Sequence, residues 1–223
     1  MAVITATILV IVALAVLPLL TPLFIHPALQ AAGSAARLGL DDAMARAMSD
    51  QSVQELLLGP GTFAFSGPDG RAFYDPAERG HLADARLLLW LCLAAGIVSA
   101  IVLGLSLART PAEGRARLWR LISRAGGMAA GVVVVLGLVS MVAFGTLFSL
   151  FHRVFFPGGN SSFDPATQHL VQLYPFAFWQ LAALALGTLV FLLGLGTWLL
   201  GRTMAGRASL VSRVDITPAA RDS

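Results

Sequence analysis

The chain has 223 residues, of which 57% are hydrophobic and only 12% are charged, and its mean hydropathy is +0.79. Soluble domains carry about 25% charged residues, so this composition predicts an integral membrane protein. All fifteen basic residues are arginine, which excludes a Schiff-base lysine and a P-loop lysine. The single cysteine, Cys92, excludes an intramolecular disulfide.

Four long apolar runs predict four transmembrane helices, at residues 3–25, 87–108, 125–151 and 176–201. The first run lacks a basic n-region and an A-x-A-like cleavage site, so it is predicted to be a retained helix. The third run is rich in glycine, which suits close helix packing. The predicted fold class is an all-α membrane protein: a single membrane domain over residues 1–223 with four transmembrane helices and a small extracytoplasmic segment.

The distribution of arginine predicts the orientation. The loop at 109–124 holds five arginines against one acidic residue, and the tail at 202–223 holds four more. Arginine-rich short segments remain cytoplasmic, so the segments at 26–86 and 152–175 are predicted to be extracytoplasmic. The pI near 10 follows from this topology and does not indicate a nucleic-acid partner.

The first extracytoplasmic segment is predicted to form short helices and a β-hairpin. Ser52 to Glu55 fits a capping box before three leucines, and Gly59 would end that helix. Alternating aromatic residues flank the turn at 67–70, which favours a hairpin. About fifty residues are too few for a robust independent core, so this segment is expected to pack against the tops of the membrane helices.

Asp75, Pro76 and Glu78 are typical of a helix start, and the second apolar run follows soon after. A helix that begins there places His81 just above the membrane run, with Asp84 on the same face. An imidazole beside a carboxylate at the membrane edge is a candidate general base. The alternative is a solvated interfacial histidine.

His152 lies in an aromatic-rich stretch at the outer end of the third run, where an imidazole is costly unless it has a partner or a function. Its alternative is a hydrogen-bonded interface residue. Arg79 and Arg153 flank the two histidines and are candidates to bind a lipid phosphate or an oxyanion, or else are charges that reach toward water. Asp164 with the following proline is a candidate substrate-binding residue or a structural helix start.

Other chemistries find little support in the sequence. There is no H-E-x-x-H or C-x-x-C pattern, and the nearest zinc ligand set would be His81, Asp84 and His152. The two histidines lie at the membrane edge rather than deep in facing helices, which does not favour a haem site. No G-x-S-x-G elbow is present, so an enzyme here is predicted to work without a protein nucleophile, metal or cofactor.

Residues 78–85 read E-R-G-H-L-A-D-A, and residues 151–156 read F-H-R-V-F-F. They resemble the E-x-x-H-M-x-D-V and F-H-x-x-F-F patterns of the bacterial Lit family, the lipoprotein intramolecular transacylases. Residues 163–165 and 173–179 are similar to its F-D-P and L-L-P-E-x-F-W/F patterns, and residues 53–58 match a leucine-rich helix more loosely. Phe176 and Ala85 depart from the family's glutamate and valine, which affects substrate positioning more than chemistry.

The resemblance implies transfer of one acyl chain from the diacylglyceryl group to the α-amine of a lipoprotein's N-terminal cysteine. It implies His81 as general base, Asp84 as its orienting carboxylate and His152 as second proton carrier or hydrogen-bond donor. The expected partners are a diacylated lipoprotein and membrane phospholipid, with no protein partner. The expected location is the bacterial cytoplasmic membrane, with the active site on the extracytoplasmic face.

Two other functions remain open at this point. A non-catalytic membrane sensor or assembly protein would hold His81 and His152 apart, with no lipid-accessible cavity between them. An enzyme requires that the two histidines converge within about 8 Å, close enough to share one substrate. A b-type haem protein would show a Soret band.

Overall fold

The computed structural model describes residues 1–156 and 162–214. Four helices are long and apolar enough to cross a membrane, which confirms the predicted all-α membrane fold. The parts of the predicted segments at 157–161 and 215–223 lie outside the described residues. The α-helices, in chain order, are α1 (Ala2–Val16), α2 (Pro22–Ala32), α3 (Ser34–Leu38), α4 (Asp42–Leu57), α5 (Pro76–Arg109), α6 (Ala112–Phe155), α7 (His169–Leu173) and α8 (Phe176–Val214).

The first apolar run is not one continuous helix to residue 25. After α1 the chain forms a 3-10 helix at Leu17–Leu20, and α2 begins at Pro22. Thr21, the residue before that proline, is extended, with ψ of 151°. Proline disfavours the helical conformation of its predecessor, so the break falls where the second proline stands.

The arginine-rich segment after α5 is mostly helical rather than a loop. Helix α5 ends at Arg109 and α6 begins at Ala112. A proline directly before the first helical residue has the backbone angle that a helix start needs. Leu118 and Ile122, four residues apart, are buried on one face of the new helix, which explains why it starts so early.

The predicted helix start at Ser52 is wrong. Helix α4 begins ten residues earlier, where Asp41 accepts a hydrogen bond of 2.7 Å from the Met44 N–H. Ser52 lies inside that helix and donates to the Met48 carbonyl at 2.8 Å. A serine hydroxyl can bond to the preceding turn of a helix as readily as it caps one, and here burial decides for the helix interior.

The predicted hairpin is reduced to a tight turn. Within the described residues it contains one antiparallel bridge, between Ser66 and Ala72, and no strand. The Phe73 N–H also donates to the Phe65 carbonyl at 2.9 Å, and the turn closes through Gly70 at φ +78°. Two short arms with so few ladder bonds are held by their aromatic packing, with the Phe65 and Phe73 rings stacked at 5.7 Å.

The described chain groups into two compact units. The first comprises Met1–Ala15, Cys92–Leu136 and the chain from Gly187 onward. Inside it, α6 and α8 cross where Gly126 meets Gly194, and a Cβ on Gly126 would lie 2.5 Å from the Gly194 carbonyl oxygen. The predicted close packing is therefore confirmed there.

The second unit comprises Val16–Leu91 and Gly137–Leu186 and contains the two polar segments that the sequence predicts to be extracytoplasmic. Its apolar core combines α2 and α4 with the aromatic turn, α7, and single residues of α5 and α8. Phe63, Tyr74 and Leu173 are its most deeply buried large side chains. The polar segment thus completes its core with helix tops, as the sequence predicts.

Candidate active site

The start of α5 fixes the backbone that carries His81. The Glu78 N–H donates to the Asp75 carboxylate at 2.8 Å, and the Asp75 N–H donates to the Glu78 carboxylate at 2.7 Å. This is a reciprocal capping box, and it confirms the helix start predicted from the sequence. His81 follows three residues later, nearly one turn along the helix, and is 9% exposed.

The same two carboxylates also hold the outer loop. Glu78 accepts a second hydrogen bond, from the Leu170 N–H at 2.6 Å, and Asp75 accepts one from the Gln168 amide at 2.8 Å. The bond from Glu78 lowers the pKa of Asp75, and the Gln168 amide acts in the same direction. The loop that leads into α7 is therefore fastened to the first turn of α5.

His81 and His152 come together although they lie on different helices. Their ring centroids are 5.9 Å apart and the rings are nearly parallel, at 11°. The rings of Phe156 and Phe163 lie 4.4 and 5.3 Å from the His81 ring. Phe148 lies 4.3 Å from the His152 ring. Aromatic side chains thus surround the pair and hold both imidazoles in place.

One hydrogen bond decides the tautomer of neutral His152. Its Nδ1 lies 2.8 Å from the carbonyl oxygen of Phe148, one turn back on α6. A carbonyl only accepts hydrogen bonds, so Nδ1 carries the proton. Neutral His152 therefore presents a lone pair at Nε2 and can take a proton there.

Both histidines line one cavity of about 320 Å³. Its wall is mostly apolar, with leucine, valine, phenylalanine and alanine side chains from seven of the α-helices, from the 3-10 helix and from the loop before α7. Besides the histidines and Trp179, the described lining residues that carry a polar side-chain group are Ser52 and Tyr174. An apolar chamber with a few polar groups is the usual form of a small-molecule or lipid site.

Near this cavity, two tyrosine hydroxyls form hydrogen bonds with serine hydroxyls of α4. The Tyr74 hydroxyl lies 2.8 Å from Ser52 Oγ, and the Tyr174 hydroxyl lies 2.9 Å from Ser49 Oγ. Burial raises the pKa of Tyr174 to about 12 and raises the pKa of Tyr74 well above its usual value. Both phenols therefore remain protonated hydrogen-bonding groups at neutral pH.

The other predicted site residues lie outside the described cavity lining. Asp84 and Arg153 are exposed, and Arg79 is half-buried. Asp164 is exposed and uses its two carboxylate oxygens locally, to accept from the Ala166 N–H and the Thr167 hydroxyl. It closes a turn, while α7 begins only at His169.

The family model for the lipoprotein intramolecular transacylase Lit matches residues 1–179 of the chain. The chain belongs to this family. Membership makes it a membrane-integral acyltransferase that carries out intramolecular transacylation of lipoproteins, as the resemblance implied. No curated protein sequence matches the chain.

Two solved structures share the fold of this Lit family member. One is the membrane-integral lipoprotein intramolecular transacylase Lit from Bacillus cereus, with a TM-score of 0.70 at 16% identity, covering 96% of this chain and 95% of that one. The other is the same Bacillus cereus protein with a histidine-to-arginine mutation, with a TM-score of 0.68 at 17% identity, covering 96% and 92%.

Sequence reasoning missed several residues of this site. Glu78 was visible as a capping residue, but its bond to the Leu170 N–H joins residues 92 positions apart. The Tyr174 hydroxyl carried no local signal. Phe176 lies edge-on to Phe148 at 5.7 Å, and the Phe148 ring in turn contacts the His152 ring.

Among the described residues, which include His81, Asp84 and His152, no group of three or more histidine, cysteine, aspartate or glutamate side chains could hold a metal ion.

Proposed function

We propose that His81 and His152 carry the proton transfers of the transacylation, in the cavity that both line. The substrate is a lipoprotein whose N-terminal cysteine bears a diacylglyceryl thioether and a free α-ammonium. The observation that supports this is the 5.9 Å separation of two imidazoles at the wall of an apolar cavity.

The reaction needs two proton acceptors and one proton donor. The α-ammonium must lose one proton before its nitrogen can attack the ester carbonyl carbon. Attack forms the new C–N bond and leaves a second proton on nitrogen, which must also depart. Collapse breaks the C–O ester bond, and the glyceryl oxygen then takes one proton. The balance is an amide, a glyceryl hydroxyl and one proton released to water.

Two histidines match the two proton acceptors that the reaction needs. His81 takes the first proton from the α-ammonium as general base. His152 takes the second proton at Nε2 and delivers it to the leaving glyceryl oxygen, which agrees with the tautomer set by the Phe148 carbonyl. Because donor and acceptor belong to one substrate molecule, proximity is largely supplied by the substrate and no acyl-enzyme is needed.

The remaining charged candidates have lesser parts in the proposal. Asp84, one turn beyond His81, orients that imidazole from the water side, and its exposure predicts a small effect. Arg79 and Arg153 contact phosphates of membrane phospholipid. Asp164 has a lesser substrate-binding part, because each of its oxygens accepts one hydrogen bond within its own turn and can accept one more from the substrate.

The proposed location is the bacterial cytoplasmic membrane, with the cavity on the extracytoplasmic side and no protein partner. The support is the arginine distribution, with nine arginines in the two segments predicted to be cytoplasmic. A non-catalytic sensor would hold the two histidines apart, so their convergence argues for the enzyme.

The test is mass spectrometry of the N-terminal peptide of a reporter lipoprotein, co-expressed with this protein in a host that lacks N-acylation. We expect the wild-type protein to yield a lyso-form peptide with one amide-linked and one ester-linked chain. His81→Ala and His152→Ala should each abolish it. His26→Ala is the matched control, because His26 pairs with Asp50 at 2.8 Å and does not line the cavity. Full activity in both cavity variants would refute the assignment.

A further inference from the structure

Two hydroxyl-bearing residues, Ser52 and Tyr174, line the cavity besides the histidines, and their hydroxyl groups differ in what they can offer a ligand. Ser52 has one hydroxyl hydrogen, which it donates to the Met48 carbonyl at 2.8 Å. It must therefore accept, not donate, in its 2.8 Å hydrogen bond with the Tyr74 hydroxyl. Ser52 has no hydrogen left for a substrate.

Tyr174 is in a different position. Its hydroxyl lies 2.9 Å from Ser49 Oγ, and either oxygen can be the donor in that bond. Ser49 is fully buried and does not line the cavity, whereas Tyr174 does. Ser52 is a second hydrogen-bonding neighbour of the Tyr174 hydroxyl. When Ser49 donates, the Tyr174 hydrogen can go either to Ser52 Oγ or to an oxygen atom in the cavity. Such a chain of two hydroxyls strengthens the terminal donor.

The proposed reaction needs such a donor. The tetrahedral intermediate carries a negative charge on the former carbonyl oxygen, inside a largely apolar wall. Until it takes the second proton, neutral His152 has a lone pair at Nε2 and cannot donate to that oxygen. Stabilising the oxyanion is usually the largest single contribution to catalysis of acyl transfer.

We infer that Tyr174 is a catalytic residue whose hydroxyl donates a hydrogen bond to the ester carbonyl oxygen as it becomes the oxyanion. This inference rests on the proposed function. Ser49 is a positioning residue, which donates to Tyr174 and so directs the tyrosine hydrogen toward the cavity. Tyr174 keeps its proton throughout, so no bond to hydrogen is made or broken there. Burial raises its pKa to about 12, which maintains the donor form.

The chain supplies a matched control, because it has only two tyrosines. Tyr74 is also buried and bonded to a serine of α4, but it does not line the cavity. Kinetics are measured on purified protein in detergent with a synthetic diacylated lipopeptide. We expect Tyr174→Phe to lower kcat by about 10²–10³-fold with little change in KM. Tyr74→Phe should retain the wild-type kcat.

A second measurement covers the case in which Tyr174→Phe fails to fold. In the Tyr74→Phe background, biosynthetic incorporation of a fluorinated tyrosine labels position 174 alone and keeps the shape of the ring. The lower pKa of the fluorinated phenol should move the high-pH loss of kcat to lower pH. An unmoved pH profile would overturn the inference, as would an unchanged kcat in folded Tyr174→Phe.

The activity of the wild-type protein distinguishes a failure of the proposed function from a failure of the Tyr174 inference. If the wild-type protein forms no lyso-form peptide, the proposed function and the Tyr174 inference both fall. If the wild-type protein is active, the His81 and His152 variants are inactive and Tyr174→Phe is fully active, only the oxyanion assignment falls.

Discussion

Replacing Glu78 by alanine should destabilise the outer half of the protein more than any ordinary surface change. Glu78 is 1% exposed, and its carboxylate accepts hydrogen bonds from the Asp75 and Leu170 N–H groups, at 2.7 and 2.6 Å. Hydrogen bonds to a charged group contribute about 1.5–3 kcal/mol each, so losing two costs roughly 3–6 kcal/mol. For a chain of this length, about 2–4 °C of melting temperature accompanies each kcal/mol, which predicts a drop of at least about 6 °C.

The assay is thermal unfolding in detergent, with limited proteolysis of the loop that leads into α7. Glu113→Ala is the control, because Glu113 is exposed in the first turn of α6 and should change the free energy of unfolding by less than about 0.5 kcal/mol. We also expect Glu78→Ala to lose activity, since that loop carries Phe163 against the His81 ring. A Glu78→Ala protein with the wild-type melting temperature would refute this account.

The remaining predictions concern pH and packing. The pKa of Asp75 is lowered in the folded state, chiefly by the hydrogen bond from the Glu78 N–H. The ionised Asp75 carboxylate therefore adds to the free energy of unfolding above the unfolded-state pKa of about 3.9, and this stabilisation is lost as the pH falls through the folded-state pKa. Melting temperature should therefore drop more steeply below about pH 4 in wild type than in Asp75→Asn. Gly126→Ala should cost about 1–3 kcal/mol through overlap with the Gly194 carbonyl, whereas Gly131→Ala, with no atom within 4 Å of its added Cβ, should be neutral in the same unfolding assay. Asp84→Asn should lower kcat far less than His81→Ala, and equal losses in the lipopeptide assay would contradict the modest role given to this exposed carboxylate.

Local signals in the sequence predicted the features that depend on neighbours in the chain. The Asp75–Glu78 capping box is closed by residues three apart, and the structure contains it as predicted. The same kind of pattern at Ser52 was misleading. There the burial of α4 against the apolar core of the second unit outweighs the preference of serine for a capping position. No local sequence pattern predicts that burial.

Most of the features that could not be predicted from the sequence are contacts between residues far apart in the chain. The Ser49–Tyr174 hydrogen bond joins residues 125 positions apart. The pairing of His81 with His152 could be predicted only as two histidines on the same face of the membrane, since its 5.9 Å separation depends on how α5 and α6 are positioned. The family pattern located both histidines, but it contains no information on which nitrogen bears the proton.

Because the reaction is intramolecular, different residues act on the reacting groups and on the backbone that holds the site. An enzyme that joins two substrates must bring them together, usually with charged or bidentate contacts. Here the nucleophile and the ester arrive on one molecule, so the protein needs proton carriers, an oxyanion donor and a chamber for acyl chains. Under the proposed function, His81, His152 and Tyr174 supply the proton carriers and the donor, and the apolar wall of the cavity that they line receives the acyl chains. The charged residues Asp75 and Glu78 act instead on the backbone, where they fix the helix and loop that hold those groups in place.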